Sequence, residues 1–294
     1  MVEGATRKRP QEFGLTLREV VWESPDTATL CLEPSPEAPV YRAGQFLTID
    51  PGQFPQLAAL KGYLEHAKGH KELVRAYSVA SAPHEPLLAL TIQDEVFAPG
   101  HTQYPPLLSP LLVHGLRPGD RLRAKGYTGL YVLPDDIESK TEHVLHVVAG
   151  SGAVPSFSLI KDSLRRGLNL RHTYLASNKT LIDVLYRTEL EALRKAHPER
   201  LRIVHTLTRE TEETATAVGL RQGRVTQALL EELVPPAERE TCWAYVCGPA
   251  ITAWDRRKAI EARVPATPRF LETVIAGLKA MGIVDKRIRR EAYG

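Results

Sequence analysis

The sequence is poor in cysteine, with three in 294 residues, Cys31, Cys242 and Cys247. Three scattered thiols cannot build a disulfide scaffold. Nor can they supply the four thiolates of an iron–sulfur cluster. A reducing, cytoplasmic setting is therefore expected. Charge of one sign is also scarce. A net charge of +3 does not provide the concentrated basic face of a nucleic-acid binder. No run of roughly 18 uncharged apolar residues occurs, which excludes a membrane-spanning helix. The basic start MVEGATRKRPQEFG is followed by no apolar stretch and does not read as a secretory signal. Internal repeats and low-complexity tracts are absent. What is present is ordinary for a folded chain, 25% charged and 43% hydrophobic. Disorder, collagen and coiled coil are excluded on that balance, and the length suits two domains.

The chain reads as two unlike halves. Up to about Leu133 it offers short candidate strands: LTLREVVWES, TATLCLEP, QFLTIDP, LVRAYSVASA, LLALTIQDE and DRLRAKGYTGLYVL. Several alternate apolar and polar residues, and Pro and Gly punctuate the gaps. A small antiparallel β-barrel or sandwich is expected over residues 1–138. The polar stretch PDDIESKTEH marks the boundary. Beyond it, over residues 139–294, apolar strands such as HVLHVVAG and CWAYVCG alternate with helical patterns such as VPSFSLIKDSLRR. That rhythm predicts an α/β domain, a doubly wound parallel sheet covered on both faces. Residues 51–73 fit neither pattern. Leu57, Leu60 and Leu64 predict a short amphipathic helix inserted between two barrel strands.

Three motifs carry chemistry. The first α/β strand ends in Gly150-Ser151-Gly152-Ala153-Val154-Pro155 and a helix follows. Glycines let backbone N–H groups approach a pyrophosphate, and a helix start favours negative charge. Pro155 in the first turn forfeits no helical hydrogen bond. The same turn also serves plain tight packing, so the motif alone leaves both readings open. The last predicted strand ends in Cys247-Gly248-Pro249, on the edge where such sheets bind ligands. In the barrel half, Arg75-Ala76-Tyr77-Ser78 offers a cation, an aromatic face and a hydroxyl on one extended strand. Those three groups suit a flavin's phosphate, ring and N5.

Taken in order, Gly44-Gln45-Phe46, Arg75-Ala76-Tyr77-Ser78, Leu108-Ser109-Pro110, the glycine turn at 150–155, Cys247-Gly248-Pro249 and the terminal Glu291-Ala292-Tyr293-Gly294 form a set. The set resembles the ferredoxin–NADP reductase family over nearly the whole chain. With Thr208-Arg209-Glu210 and Gly223-Arg224-Val225 it looks most like the bacterial flavodoxin/ferredoxin–NADP reductases. The resemblance implies an FAD-binding barrel followed by an NAD(P)-binding domain. It implies that Arg75 pairs with FAD phosphate, Tyr77 stacks on the isoalloxazine and Ser78 reaches N5. Leu108 and Ser109 would hold the pyrophosphate, and Thr91 would line the flavin. Gly150, Ser151, Gly152 and Pro155 would cradle the nicotinamide dinucleotide. Cys247, with Gly248 and Pro249, would sit beside the nicotinamide, Glu291 near the reacting rings, and Tyr293 over the other flavin face.

Recognition of a 2′-phosphate needs cations and donors near the adenosine ribose. Asn178 and Lys179 follow the second α/β strand, Arg209 the third, and Arg224 opens the next helix. No acidic residue ends the second strand, where NAD sites often place one. NADPH is favoured over NADH on these grounds. Two departures from the family pattern stand out, the 51–73 insertion and the long Pro-containing approach to Leu108-Ser109. His66 and His70 in the insertion lack a third ligand, and no metal is expected. With no iron–sulfur ligands of its own, the chain is expected to pass electrons to a separate ferredoxin or flavodoxin. Lys286, Arg287, Arg289 and Arg290 would steer such an acidic partner. The competing expectations are the reductase component of an oxygenase, a ferric-chelate reductase and a non-catalytic flavin- or nucleotide-binding redox subunit.

Overall fold

Alternation of apolar and polar residues organises the first half. The computed structural model describes residues 11–99 and 102–293; the basic residues before Gln11 and the final Gly294 lie outside that range. Strands β1 (Gln11–Ser24), β2 (Thr27–Pro34) and β3 (Phe46–Ile49) precede helix α1 (Ala58–Lys68). Strands β4 (Arg75–Ser78), β5 (Leu88–Gln93) and β6 (Arg121–Thr128) follow it. They form one sheet in the order β4-β3-β6-β1-β2-β5, antiparallel at every pair. A bridge between Val79 and Leu90 brings the two edges together and curls the sheet into a barrel. Phe13, Leu15 and Leu17 of β1 and Leu122 and Ala124 of β6 point inward and are buried. The period of two puts them on one face, and each fully buried Leu or Phe contributes about 1.5–3 kcal/mol.

The second half runs β7 (His143–Ala149), α2 (Ala153–Arg165), β8 (Arg171–Asn178), α3 (Arg187–Ala196), β9 (Leu201–Leu207), α4 (Glu212–Ala217), β10 (Arg221–Gln222), α5 (Gln227–Leu233), β11 (Trp243–Pro249), α6 (Ala253–Ala262), α7 (Phe270–Ala280) and β12 (Ile288–Tyr293). Its six strands lie in the order β10-β9-β8-β7-β11-β12 and are parallel throughout. Strands covered on both faces become buried and largely apolar along their length, as β7 and β11 do. Val144 and Val148 pack with Phe157, Ile160 and Tyr245 on one side. Leu145 and Val147 pack with Leu230, Val246 and Leu278 on the other. Among the described residues, no helix is long and apolar enough to cross a membrane.

The barrel docks on the α2 side of this sheet. Ala43, Ala80, Tyr131 and Leu133 join the core built around α2. The Tyr131 hydroxyl meets Ser156 Oγ at 2.8 Å, Tyr245 donates to the Val132 carbonyl at 2.8 Å, and Ser158 donates to the Ser81 carbonyl at 2.6 Å. Lys161 pairs with Glu85 at 2.7 Å. Gly44 holds φ +86°, and a Cβ there would stand 1.9 Å from the Tyr131 carbonyl oxygen. Only glycine both adopts that angle and admits that approach.

Residues 51–73 do contain a helix, α1, with Leu57 and Leu64 buried and Leu60 partly so. Gly69, at φ +73°, caps its C-terminus rather than interrupting it, an ordinary use of glycine. No group of metal-ligating side chains occurs among the described residues.

Candidate active site at the seam

Parallel register brings three expected site residues together. Cys247 of β11 pairs with Glu291 of β12, and Pro249 with Tyr293. On its other side Cys247 pairs with Val148 of β7. The barrel contributes Ser78, the last residue of β4, whose hydroxyl faces Glu291 Oε1 at 3.4 Å. Ser78 and Cys247 are buried, and Tyr293 packs on the core that contains Cys247. One barrel hydroxyl, one thiol, one carboxyl and one phenol thus converge between the two halves.

Burial sets the protonation of this cluster. It pushes the Glu291 carboxyl up to about 7, against a smaller opposing effect of the Ser78 hydroxyl. It pushes the Cys247 thiol well above its ordinary value, and the Glu291 charge adds to this. Cys247 is therefore a thiol at neutral pH, not a thiolate nucleophile. Among the described residues, Glu291 Oε2 is buried without a hydrogen-bond partner, while Ser78 lies within reach of the Tyr293 hydroxyl. Buried polar atoms are normally satisfied, so an unpartnered carboxyl oxygen fits a site that a polar ring system completes.

Arg75 and Tyr77 lie two apart on β4 and share a face. Tyr77 packs against the barrel core, and burial, with the nearby Glu95 charge, raises its phenol pKa. The Arg75 guanidinium is held by Glu72 Oε2 at 2.5 Å and by the Leu73 carbonyl at 2.7 Å. Ala76, between them, is exposed. Leu108 is buried in the barrel core. Ser109 Oγ accepts from the Glu95 N–H and donates to the Glu95 carboxylate, both at 3.2 Å. Thr91 sits elsewhere on the seam. Its hydroxyl meets Thr29 Oγ1 at 2.7 Å and the Tyr186 hydroxyl at 2.5 Å.

The glycine turn closes against β11. Gly150 holds φ +52°. A Cβ on Gly152 would stand 2.3 Å from the Cys247 carbonyl oxygen. Gly152 therefore has no room for a side chain where β7 hands over to α2, with Pro155 buried in the helix's first turn. Ser151 Oγ reaches Gln93 of the barrel at 3.5 Å. Gly248 and Pro249 continue the same edge on β11.

Asn178, Lys179, Arg209 and Arg224 gather at the carboxyl ends of β8, β9 and β10. The Thr208 N–H donates to the Asn178 carbonyl, the Arg209 N–H to the Lys179 carbonyl and the Gly223 N–H to the Leu207 carbonyl. Asn178 is buried; Lys179, Arg209 and Arg224 are exposed. None of these three cations belongs to an ion pair among the described residues.

The C-terminal basic cluster begins at the far end of β12 from the site. Ile288 pairs with Ala244 and Tyr293 with Pro249, so Lys286 and Arg287 stand at the amino end of β12. Five residues of strand, roughly 17 Å, separate that end from Tyr293. Arg290 and Lys279 both pair with Asp285, and Arg289 lies over Trp243. Arg290 pairs with Val246 and immediately precedes Glu291, so the cluster runs from that end of β12 up to the site. A surface cleft of about 760 Å³, lined by Trp22, Glu23, Leu181, Ile182, Val184 and Arg187 among others, contains none of the expected site residues.

Sequence reasoning missed Glu72 as the carboxylate that holds both Lys68 and Arg75. Helical spacing does not join these residues, since α1 ends at Lys68 and Arg75 opens β4. Sequence reasoning also missed Tyr186, which carries no motif.

Comparisons with known proteins agree with this fold. The oxidoreductase NAD-binding domain family matches residues 147–255. A ferredoxin–NADP reductase B from Sorangium cellulosum is 31% identical over 178 residues, covering 60% of this chain and 67% of that protein. An NADPH oxidoreductase from Mycobacterium tuberculosis is 30% identical over 230 residues, 77% of this chain and 50% of that protein. The chain thus spans half of that relative, and 40% of an NADH-cytochrome b5 reductase 2 from Ajellomyces capsulatus that it matches at 28% identity. Among solved structures, the FAD/NAD-binding domain of a nitric oxide dioxygenase from Vibrio cholerae superposes with a TM-score of 0.69 at 20% identity, covering 98% of this chain and 100% of that one. Barrel, parallel sheet and matched relatives lead to one assignment: the chain belongs to the ferredoxin–NADP reductase-like family of NAD(P)H-dependent flavin oxidoreductases.

Proposed function

We propose that the protein is an FAD-dependent NADPH oxidoreductase that passes electrons singly to a separate ferredoxin or flavodoxin. The observation that carries this reading is the meeting of Ser78 with the Cys247–Glu291–Tyr293 edge across the seam. The flavin supplies, when bound, hydride acceptance and one-electron release. The chain's residues do the rest. Tyr77 and Arg75 present an aromatic face and a cation on one side of β4. Ser78 offers a hydroxyl at the end of that strand. Glu291 holds a proton at its carboxyl near neutral pH. The glycine turn at 150–152 offers backbone N–H groups to a dinucleotide pyrophosphate. Cys247 stays neutral and dry, filling space beneath the nicotinamide without competing for it. Tyr293 covers the place the nicotinamide needs and moves aside for it, a conformational step that gates turnover.

NADPH is preferred on the strength of Lys179, Arg209 and Arg224. Three exposed cations at one sheet edge, none spent on an ion pair among the described residues, suit a 2′-phosphate. The named relatives diverge on partner, from ferredoxin to cytochrome b5. The chain's own acceptor is therefore a matter for experiment. Anaerobic titration with NADPH and then NADH, followed by ferredoxin, flavodoxin and cytochrome b5 as acceptors, tests the whole reading. NADPH should bleach a bound flavin stoichiometrically, and ferredoxin or flavodoxin should restore the oxidised spectrum. Equal or better bleaching by NADH retires the NADPH preference. A flavin that neither nucleotide bleaches leaves a non-catalytic redox subunit in its place.

A further inference from the structure

The segment between β3 and β4 ends in a buried ionic knot. The Glu72 side chain is 1% exposed, yet both its oxygens are engaged, Oε1 by Lys68 Nζ at 2.6 Å and Oε2 by Arg75 at 2.5 Å. Its N–H donates to Glu65 Oε1 at 3.0 Å, and Lys61 holds Glu65 at 2.8 Å. Desolvation alone would raise the Glu72 carboxyl; the hydrogen bonds from Lys68 and Arg75 outweigh it and hold the carboxyl below its ordinary range. One carboxylate is thus flanked by two cations, which leaves a net positive charge where α1 meets β4. The cations remain within reach of solvent, with Lys68 19% and Arg75 36% exposed.

A second observation places Lys68 between the two expected phosphate-binding elements. Its Nζ lies 5.1 Å from the centre of the Tyr104 ring, and the Tyr104 hydroxyl donates to the Ala67 carbonyl at 3.2 Å. Tyr104 belongs to the segment that leads into Leu108 and Ser109. Lys68 therefore bridges β4, which carries Arg75, and the stretch that carries Ser109. Lys68 and Arg75 are thus held by one carboxylate between the two elements expected to grip the diphosphate.

We propose that Lys68 is a second cation for the FAD diphosphate and that buried Glu72 is the positioning residue that holds Lys68 and Arg75 together for it. The proposal rests on the FAD reading above but concerns only how the phosphate is gripped. A carboxylate bridging two cations sets their separation before the ligand arrives, which lowers the ordering cost of binding. Charge-assisted contacts to phosphate are the strong class of hydrogen bond.

The test strips flavin from the purified full chain and titrates it with FAD and with riboflavin, which has no phosphate, at several salt concentrations. Lys68→Met should weaken FAD binding about tenfold or more, the effect of one lost contact to a charged group. It should flatten the salt dependence and leave riboflavin affinity unchanged. Glu72→Gln should weaken FAD in the same selective way, and adding Lys68→Met to it should cost less than in the wild-type background. Unchanged FAD affinity and salt slope in Lys68→Met, with FAD still bound by the wild type, overturns the role of Lys68 and spares the FAD reading. Equal loss of FAD and riboflavin marks the knot as purely structural and also overturns it. Wild-type protein that takes up neither flavin removes both.

Discussion

A largely desolvated carboxyl that accepts a single hydrogen bond among the described residues, from a serine hydroxyl, keeps its proton longer than a surface one. Glu291 is that group, with a pKa of about 7, so it is neutral below and ionised above that pH. A carboxylate beside the reacting ring opposes delivery of negative charge to it. Flavin reduction by NADPH should therefore slow as the pH rises through about 7. In Glu291→Gln, rapid-mixing rates across that range should lose the transition, and a transition that persists in the variant assigns it to another group. Cys247 and Cys242 are buried and carry thiols raised by desolvation, Cys242 to about 12. Iodoacetamide followed by peptide mapping should modify neither in the native protein and both after unfolding. Native labelling of Cys247 would mean that its edge of the sheet is open to water. At this scale the sequence was only partly readable. Ser78 and Glu291 are 213 residues apart, so no spacing argument joins them; only the family resemblance put both on one site. The grip of Glu72 on Arg75 depends on how the inserted helix folds back, which composition does not specify.

Single turns and strand ends decide how the elements meet. At Gly152 the α2 turn touches the β11 backbone so closely that a methyl group would stand 2.3 Å from the Cys247 carbonyl oxygen. Gly152→Ala must push the turn away from β11. The expected cost is about 1–3 kcal/mol, the usual price of overpacking, together with weaker NADPH binding. Urea denaturation and a nucleotide titration measure the two effects, and an alanine variant as stable and as tight-binding as wild type refutes the close approach. Most elements were legible because their periodicity is strong. TATLCLEP is β2 residue for residue, and the strand–helix alternation after residue 143 is what the structure contains. The edge strands β10 and β12 were not anticipated. The strand IRREAY is dominated by charge, as edge strands often are, and such a pattern does not announce a parallel strand.

Across the whole molecule, the α/β half hides several neutral histidines. His146 meets His172 at 3.0 Å, and His172 meets Ser163 at 2.8 Å. Burial drives His146 well below 6.5, His172 to about 3 and His205 to about 4. The unfolded chain binds these protons from pH 6.5 downward while the native state refuses them. Stability should therefore fall on acidification below pH 6.5, by about 1.4 kcal/mol per pH unit for each such histidine. For His205 the decline ends near pH 4 and for His172 near pH 3. Glu291 acts with the opposite sign: between its ordinary 4.5 and about 7 the native state binds the extra proton, which offsets part of the loss. Urea unfolding from pH 7 to 4 at constant ionic strength should give a steep decline, and a flat profile contradicts the buried neutral assignments. The seam between barrel and sheet matters most at this scale, because neither half alone contains the proposed site. It is tested most directly by rapid anaerobic mixing of the flavin-loaded protein with saturating NADPH, comparing wild type with Ser78→Ala. If Ser78 and the Cys247–Glu291 edge enclose the reacting rings, the variant keeps its flavin but is reduced at least about tenfold more slowly, the scale of one transition-state contact. Reduction at the wild-type rate would mean that the hydride crosses elsewhere in the molecule.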